Sequence, residues 1–369
     1  MFRFVLPVLY AASGPLLAGV TEDIAALKAA PDRATWDRLA AGGPDALPPI
    51  LNALPADDPV AFNWLRTAFD RIAAAHAAKL PLDVLLAFTK DSGKPGKARR
   101  LALSALERGR HGVTDHLLDG WLNDPEFGAD AVDRAVLSAE KLPKAEMLVA
   151  LKKTFAACTD CDQAQALAKK LTGLGETPDV WAHLGAVRKW RIVGPFPVTP
   201  EVGLARSFPP ESKLDLAAEY DGKAGKLRWQ PVEVEEGKID LVKAGVKVED
   251  GSVVYAVATF TVPADVTGEL RLSAVDNVTA WLNGKKVVER SNDYRSLYRA
   301  DRYRAAVSLP AGETTLLLKL TKTRPDDGQQ AAAAKAGRPS GAAANWTFQA
   351  RVLDAAGKGL TVTQPEGKK

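Results

Sequence analysis

The chain of 369 residues holds two cysteines, two methionines and four histidines, and each scarcity closes off a line of chemistry. The cysteines form one motif, Cys158-Thr159-Asp160-Cys161. Zinc would need two further ligands there, and the histidine nearby in sequence, His183, stands among apolar residues at a junction. A c-type haem requires histidine directly after the second cysteine, where Asp162 is found. His111 and His116 lack the i, i+4 spacing that sets two ligands on one helical face, and His76 is isolated. No metal and no cofactor is expected. Excess charge is scarce as well: a net +4 falls short of the concentrated basic stripe that nucleic acid demands. Ser92–Lys97 (S-G-K-P-G-K) is not a phosphate loop, since Asp91 replaces its first glycine and Ala98 its magnesium-binding hydroxyl. A G-x-S-x-G elbow is missing. The expectation is a protein that is not an enzyme.

Acidic residues are absent before Glu22, and the start is otherwise Met-Phe-Arg followed by the apolar run Phe4–Leu17. This pattern predicts a signal peptide over residues 1–19, and hence a secreted, periplasmic or cell-envelope protein. Pro7, Gly14 and Pro15 interrupt a run already short for a bilayer, so no stable membrane span is expected. In an exported chain, Cys158 and Cys161 are read as a local structural disulfide rather than a redox pair. Asp160 and Gln163 stand at capping-box spacing, which predicts that a helix starts at Cys161.

Residues 20–178 are rich in Ala and Leu and repeatedly helical. Pro59–Lys79, Lys97–Arg108, Asp130–Lys141, Ala145–Ala157 and Asp162–Leu171 carry apolar residues at helical spacing. Asp124-Pro125 marks a further helix start. Short helices joined by short loops suggest an α-solenoid, with a compact bundle as the alternative. The run L-L-D-G-W-L-N-D-P at Leu117–Pro125, with Asp130-Ala131-Val132, resembles degenerate HEAT repeats.

Composition changes across a junction at 179–189. Residues 190–356 offer short strands between Gly, Pro and Asp turns, as in a sandwich rather than a βαβ sheet. Strands are predicted at Ser252–Val262, Gly268–Ala274, Thr279–Leu282, Ala305–Leu309, Thr314–Thr321 and Trp346–Leu353. A Gly/Ala/Gln loop at 325–344 has too little apolar surface to order itself, and 357–369 is a polar tail. The stretch V-D-N-V-T-A-W-L-N-G-K-K-V-V at Val275–Val288 organises this half. Asn283-Gly284 predicts a type I′ hairpin, with Val278, Ala280 and Leu282 on one face and Thr279 and Trp281 on the other. Trp281 is expected to be covered by the rest of the sandwich.

That hairpin resembles the central hairpin of galactose-binding-like jelly rolls. The series W-x-I-x-G-P-F (Trp190–Phe196), P-P-E (Pro209–Glu211), Y-x-G-K (Tyr220–Lys223), W-L-N-G (Trp281–Gly284) and P-A-G-E (Pro310–Glu313) is similar to secreted bacterial jelly-roll proteins that carry helical repeats before the sandwich. One departure is Gly312-Glu313-Thr314, where such chains place a turn-fixing asparagine. The resemblance implies a multi-domain chain, an N-terminal HEAT-like α-solenoid followed by an all-β, galactose-binding-like jelly roll. It also implies a sugar-binding or accessory module, with carbohydrate as the candidate ligand.

A single segment stands out as chemistry. Ser291–Arg304 interleaves Tyr294, Tyr298 and Tyr303 with Arg295, Arg299, Arg302 and Arg304. Lys285–Arg304 holds seven basic and three acidic residues. Rings stack on the apolar face of a sugar while arginine donates paired bonds to hydroxyls or carboxylates. The candidate ligand-binding set is Tyr294, Arg295, Tyr298, Arg299, Arg302 and Tyr303. Three readings stand open: a carbohydrate site, a protein interface, or a solvated strip whose tyrosines pack locally. A protein partner bound through the helical repeats is the rival to carbohydrate attachment.

Overall fold

The computed structural model describes residues 14–197, 205–222, 225–247, 252–290, 298–322, 335 and 346–365. The chain divides into two compact units, Met1–Ser138 and Ala139–Lys369. The first is helical and the second is dominated by antiparallel sheets. The division falls well before the expected junction, so the helices after Ser138 belong with the strands.

In the first unit the helices are α1 (Gly14–Ala29), α2 (Arg33–Ala40), α3 (Leu47–Ala53), α4 (Pro59–Ala75), α5 (Leu82–Lys90), α6 (Gly96–Gly109), α7 (Val113–Leu118) and α8 (Gly128–Ala139). Aspartates start several of them. Asp32 Oδ1 accepts the Thr35 N–H at 3.0 Å, and Asp58 caps α4 just ahead of Pro59, the residue suited to a first turn. Helix α4 buries Ala61, Leu65, Ala68, Phe69 and Ile72, a spacing of three to four residues that lines one face. Helix α1 packs on α2, α3 and α4, and one core runs from Ile24 to Ala131. Arg99, 1% exposed, is held through both terminal nitrogens by Asp124 at 2.6 and 3.0 Å. The same Asp124 accepts the N–H groups of Glu126 and Phe127, the turn that leads into α8.

The second unit opens with α9 (Lys144–Ala157), α10 (Cys161–Gly173) and α11 (Val180–His183). Asp160 Oδ1 accepts from Asp162 and Gln163, so α10 begins at Cys161 as its spacing predicts. The strands are β1 (Lys189–Pro197), β2 (Tyr220–Gly222), β3 (Gly225–Leu227), β4 (Gln230–Glu233), β5 (Ile239–Asp240), β6 (Ser252–Val262), β7 (Val266–Ala274), β8 (Asn277–Leu282), β9 (Lys285–Arg290), β10 (Tyr303–Leu309), β11 (Gly312–Lys322) and β12 (Thr347–Asp354). A short helix, α12 (Pro209–Ser212), precedes β2. One sheet has the order β4-β1-β6-β11-β8-β9 and a second the order β10-β7-β12-β5. Both turn alternate residues into one core: Trp190, Ile192, Ala256, Phe260, Val278 and Leu318 from the first, Leu270, Leu272, Val307, Phe348 and Val352 from the second.

The hairpin expected at Asn283-Gly284 forms. Both residues have positive φ, 49° and 79°, and Leu282 pairs with Lys285. Asn283 Oδ1 also accepts the Thr315 N–H at 2.8 Å, which pins the turn to β11. At the Gly312 turn the missing asparagine is replaced from another segment, since Asp265 Oδ1 accepts the Ala311 N–H at 2.7 Å. Trp281 corrects an expectation. Val278, Ala280 and Leu282 face the shared core, while Trp281 is half-buried on the outer face of its sheet. That outer face has its own cover, in which Phe196, Phe208, Tyr220, Trp229 and Tyr255 cluster. The expected loop at 325–344 lies outside the described residues except for Lys335.

Candidate ligand-binding surfaces

Of the six strip residues, Tyr294 and Arg295 lie outside the described residues. The other four are among the described residues. Tyr298 turns inward: its hydroxyl donates to Gln349 Oε1 at 2.7 Å, and Lys238 Nζ sits 4.9 Å from its ring. Burial pushes its phenol up to about 12. Arg302 lies 5.8 Å over the half-buried Tyr303 ring, and Tyr303 packs on the shared core. Arg299 is exposed. The strip therefore does not present its described tyrosines as a stacking platform.

Between Tyr298 and Tyr303 the chain delivers Asp301 to a buried ionic knot on the outer face of the four-stranded sheet. Arg351 Nη1 and Arg271 Nη1 meet the same Asp301 oxygen at 2.5 and 3.2 Å. The two arginines are register partners on β12 and β7. Arg351 also donates to the carbonyls of Leu184 and Thr159, at 2.9 and 3.2 Å, and to Cys161 Sγ at 2.9 Å. One guanidinium thus ties the start of α10 and the end of α11 to the sheet.

Cys158 and Cys161 are both buried and stand as thiols in this structure. Cys161 Sγ is taken by Arg351, while Cys158 Sγ faces the Asp160 carbonyl at 3.5 Å. Burial pushes the Cys161 thiol up to about 11, so it is protonated at neutral pH. His183 rests on Phe155 with ring centres 4.4 Å apart, and its Nε2 lies 2.7 Å from the Cys158 carbonyl. Among the described residues, no group of His, Cys, Asp and Glu is placed to hold a metal ion. No helix there is long and apolar enough to cross a membrane.

The P-P-E motif proves to be a tether. Glu211 Oε1 lies 2.9 Å from Lys319 Nζ and accepts the Tyr255 hydroxyl. Lys319 is 2% exposed and also donates to the Arg206 carbonyl at 2.5 Å. Burial alone would raise the Glu211 carboxyl, yet the Tyr255 and Lys319 bonds outweigh it and hold the group below its ordinary value. This network pins the outer cover onto the six-stranded sheet.

A surface not signalled by the sequence lies beside it. The outer face of β1, β4 and β6 forms an open groove of about 480 Å³. Lys189, Arg191, Glu233 and Glu313 supply its charged groups, over an apolar floor that includes Leu216 and Val257. Antiparallel pairing assembles it, with Lys189 opposite Glu233 and Arg191 opposite Val257. Partners so distant in sequence leave no local pattern, and only the outward phase of Lys189 and Arg191, alternating with buried Trp190 and Ile192, hints at it.

No family model matches the chain, and no curated protein matches it. Solved structures match part of it. A beta-glycosidase from Bacteroides vulgatus is 14% identical over 45% of this chain and 20% of that one, with a TM-score of 0.22. The beta-glucuronidase of Faecalibacterium prausnitzii is 13% identical over 45% of this chain and 31% of that one, also at 0.22. The chain thus spans under a third of the length of these enzymes. Likeness at such scores carries no inference about the chemistry of this protein.

Proposed function

We propose that this is an exported, non-catalytic binding protein whose second unit, read as a galactose-binding-like jelly roll, attaches to extracellular or envelope carbohydrate. The observation that carries the reading is the groove beside Arg191. Sugar hydroxyls both donate and accept, and the groove offers Arg191 and Lys189 as donors and Glu233 and Glu313 as acceptors above an apolar floor. The two antiparallel sheets over one core support the jelly-roll assignment. A glycan array probed with the full chain and with Arg191→Ala tests the proposal. Signals that the variant loses uphold it; an array on which the full chain finds no glycan overturns it.

The rival reading, a protein-interaction scaffold that uses a HEAT-like helical surface, has its own observation. Val149 of α9 is 70% exposed and Leu142 just before it 40%, apolar surface of the kind that partners cover. A blank array together with a bound partner that Val149→Glu releases would favour it.

A further inference from the structure

We infer a second binding site, in the helical unit, for a uronate-bearing polysaccharide. It goes beyond the groove of the sandwich and does not depend on it. Arg33 and Trp36 of α2 and Asn63, Trp64 and Thr67 of α4 line an open hollow of about 380 Å³. Both tryptophans are half-buried, with their inner edges packed on the helical core. The orientation of Trp36 is set by hydrogen bonds. Trp36 Nε1–H donates to Thr67 Oγ1 at 3.0 Å, and that hydroxyl reaches the Asn63 and Trp64 carbonyls one turn back, each at 3.0 Å. A rigid indole surface loses little entropy when a ligand stacks on it.

The charge at this hollow selects the ligand. Arg33 lays its guanidinium 4.7 Å over the Trp36 ring. It bonds Asp37 through Nε alone, at 3.0 Å to each oxygen. Its two terminal nitrogens make no bond among the described residues, and its side chain is 75% exposed. An arginine stacked on an aromatic face presents those nitrogens as a planar fork, the geometry that matches a carboxylate. Asn63 accepts from Arg66 at 3.4 Å through Oδ1, which leaves its amide N–H groups for a hydroxyl. A pyranose needs an apolar platform for its C–H face and polar groups at its rim. Trp64 supplies the first and Asn63 the second, while the Arg33 fork adds recognition of a ring carboxylate. The same positive fork repels a quaternary ammonium, the other common guest of paired aromatics.

Calorimetric titration of the full chain tests this, with polygalacturonate and alginate as probes and dextran as the neutral control. Binding to at least one polyuronate but not to dextran is expected, weakened by added salt because exposed charges are screened. Arg33→Gln and Trp64→Ala should each weaken it about tenfold or more, with melting points within a few degrees of the parent. Arg110→Gln, at an exposed arginine that lines neither hollow nor groove, should leave it unchanged. Dextran bound as tightly as the uronates overturns the inference, as does failure of both uronates to bind. Full affinity in Arg33→Gln, or a loss that follows Arg191→Ala or Arg110→Gln instead, overturns it too.

Discussion

Arg351 Nη1 and Asp301 Oδ2 stand 2.5 Å apart, the arginine fully buried and the aspartate 14% exposed. An arginine of this kind is costly to leave without its anion, because desolvation is paid whether or not the partner is present. Asp301→Ala should therefore destabilise the second unit by about 3–5 kcal/mol. Replacing both residues, as in Arg351→Met with Asp301→Ala, should cost less than Asp301→Ala alone. Urea denaturation of the two single variants and the pair measures the coupling. Additive losses would mean that the Leu184 and Thr159 carbonyls hold Arg351 without help from Asp301.

Tyr298 should behave as part of the packing rather than as a ligand platform. Its hydroxyl is the donor to Gln349 Oε1, and Gln349 is 2% exposed. Tyr298→Phe leaves that buried oxygen without its proton, a loss of about 1–3 kcal/mol. Glycan binding by the folded variant should be unchanged. A thermal melt beside an array separates the outcomes, and lost binding at an unchanged melting point would return Tyr298 to the ligand site.

The local patterns were legible and the distant pairings were not. Asn283-Gly284 announces its hairpin because both positions need positive φ, a demand written in two adjacent residues. Asp160 likewise announces α10 through its own side chain. Strand β6 matches its predicted span because its length and apolar run are self-contained. The place of Asp301 within the Tyr/Arg strip was not legible, because composition says nothing of Arg351, which lies fifty residues beyond Asp301 in the chain and yet draws it inward. The link between these helices and the strands was not legible for the same reason: α9 to α11 read as more of the same helical run, while the Arg351 bonds tie the Cys161 and Leu184 regions to the sheet.

Two tryptophans one could confuse on sequence grounds should differ sharply. Trp346 is fully buried, whereas Trp281 sits half-buried on the outer face of the six-stranded sheet. Trp346→Ala should cost about 3–5 kcal/mol through loss of contacts and the cavity left behind. Trp281→Ala should cost roughly half as much or less, since part of its ring already meets water. Urea midpoints for the two variants rank them, and equal losses would show that the outer cover is as tightly packed as the shared core.

His183 gives the second unit a dependence on mild acid. Burial is the chief reason its pKa lies below the ordinary value, and the charges of Lys358 and Arg351 add to it, against the Cys158 carbonyl, which favours the imidazolium. The unfolded chain takes up this proton near pH 6.5 or so, while the folded protein resists it until lower pH. The unfolded state therefore binds more protons in that window, and stability falls as pH drops through it. Above it the neutral imidazole costs nothing, and below the folded value the loss levels off. The depressed carboxyls Asp179 and Glu211 act only in stronger acid, as pH falls below the usual carboxylate range, so they do not mask the effect. Urea midpoints measured from about pH 8 down to about pH 5 should decline in the parent protein. His183→Gln keeps an N–H donor for the Cys158 carbonyl but cannot titrate, and its curve should be flatter. Parallel curves would assign the acid sensitivity to another group and leave His183 as a packing residue against Phe155.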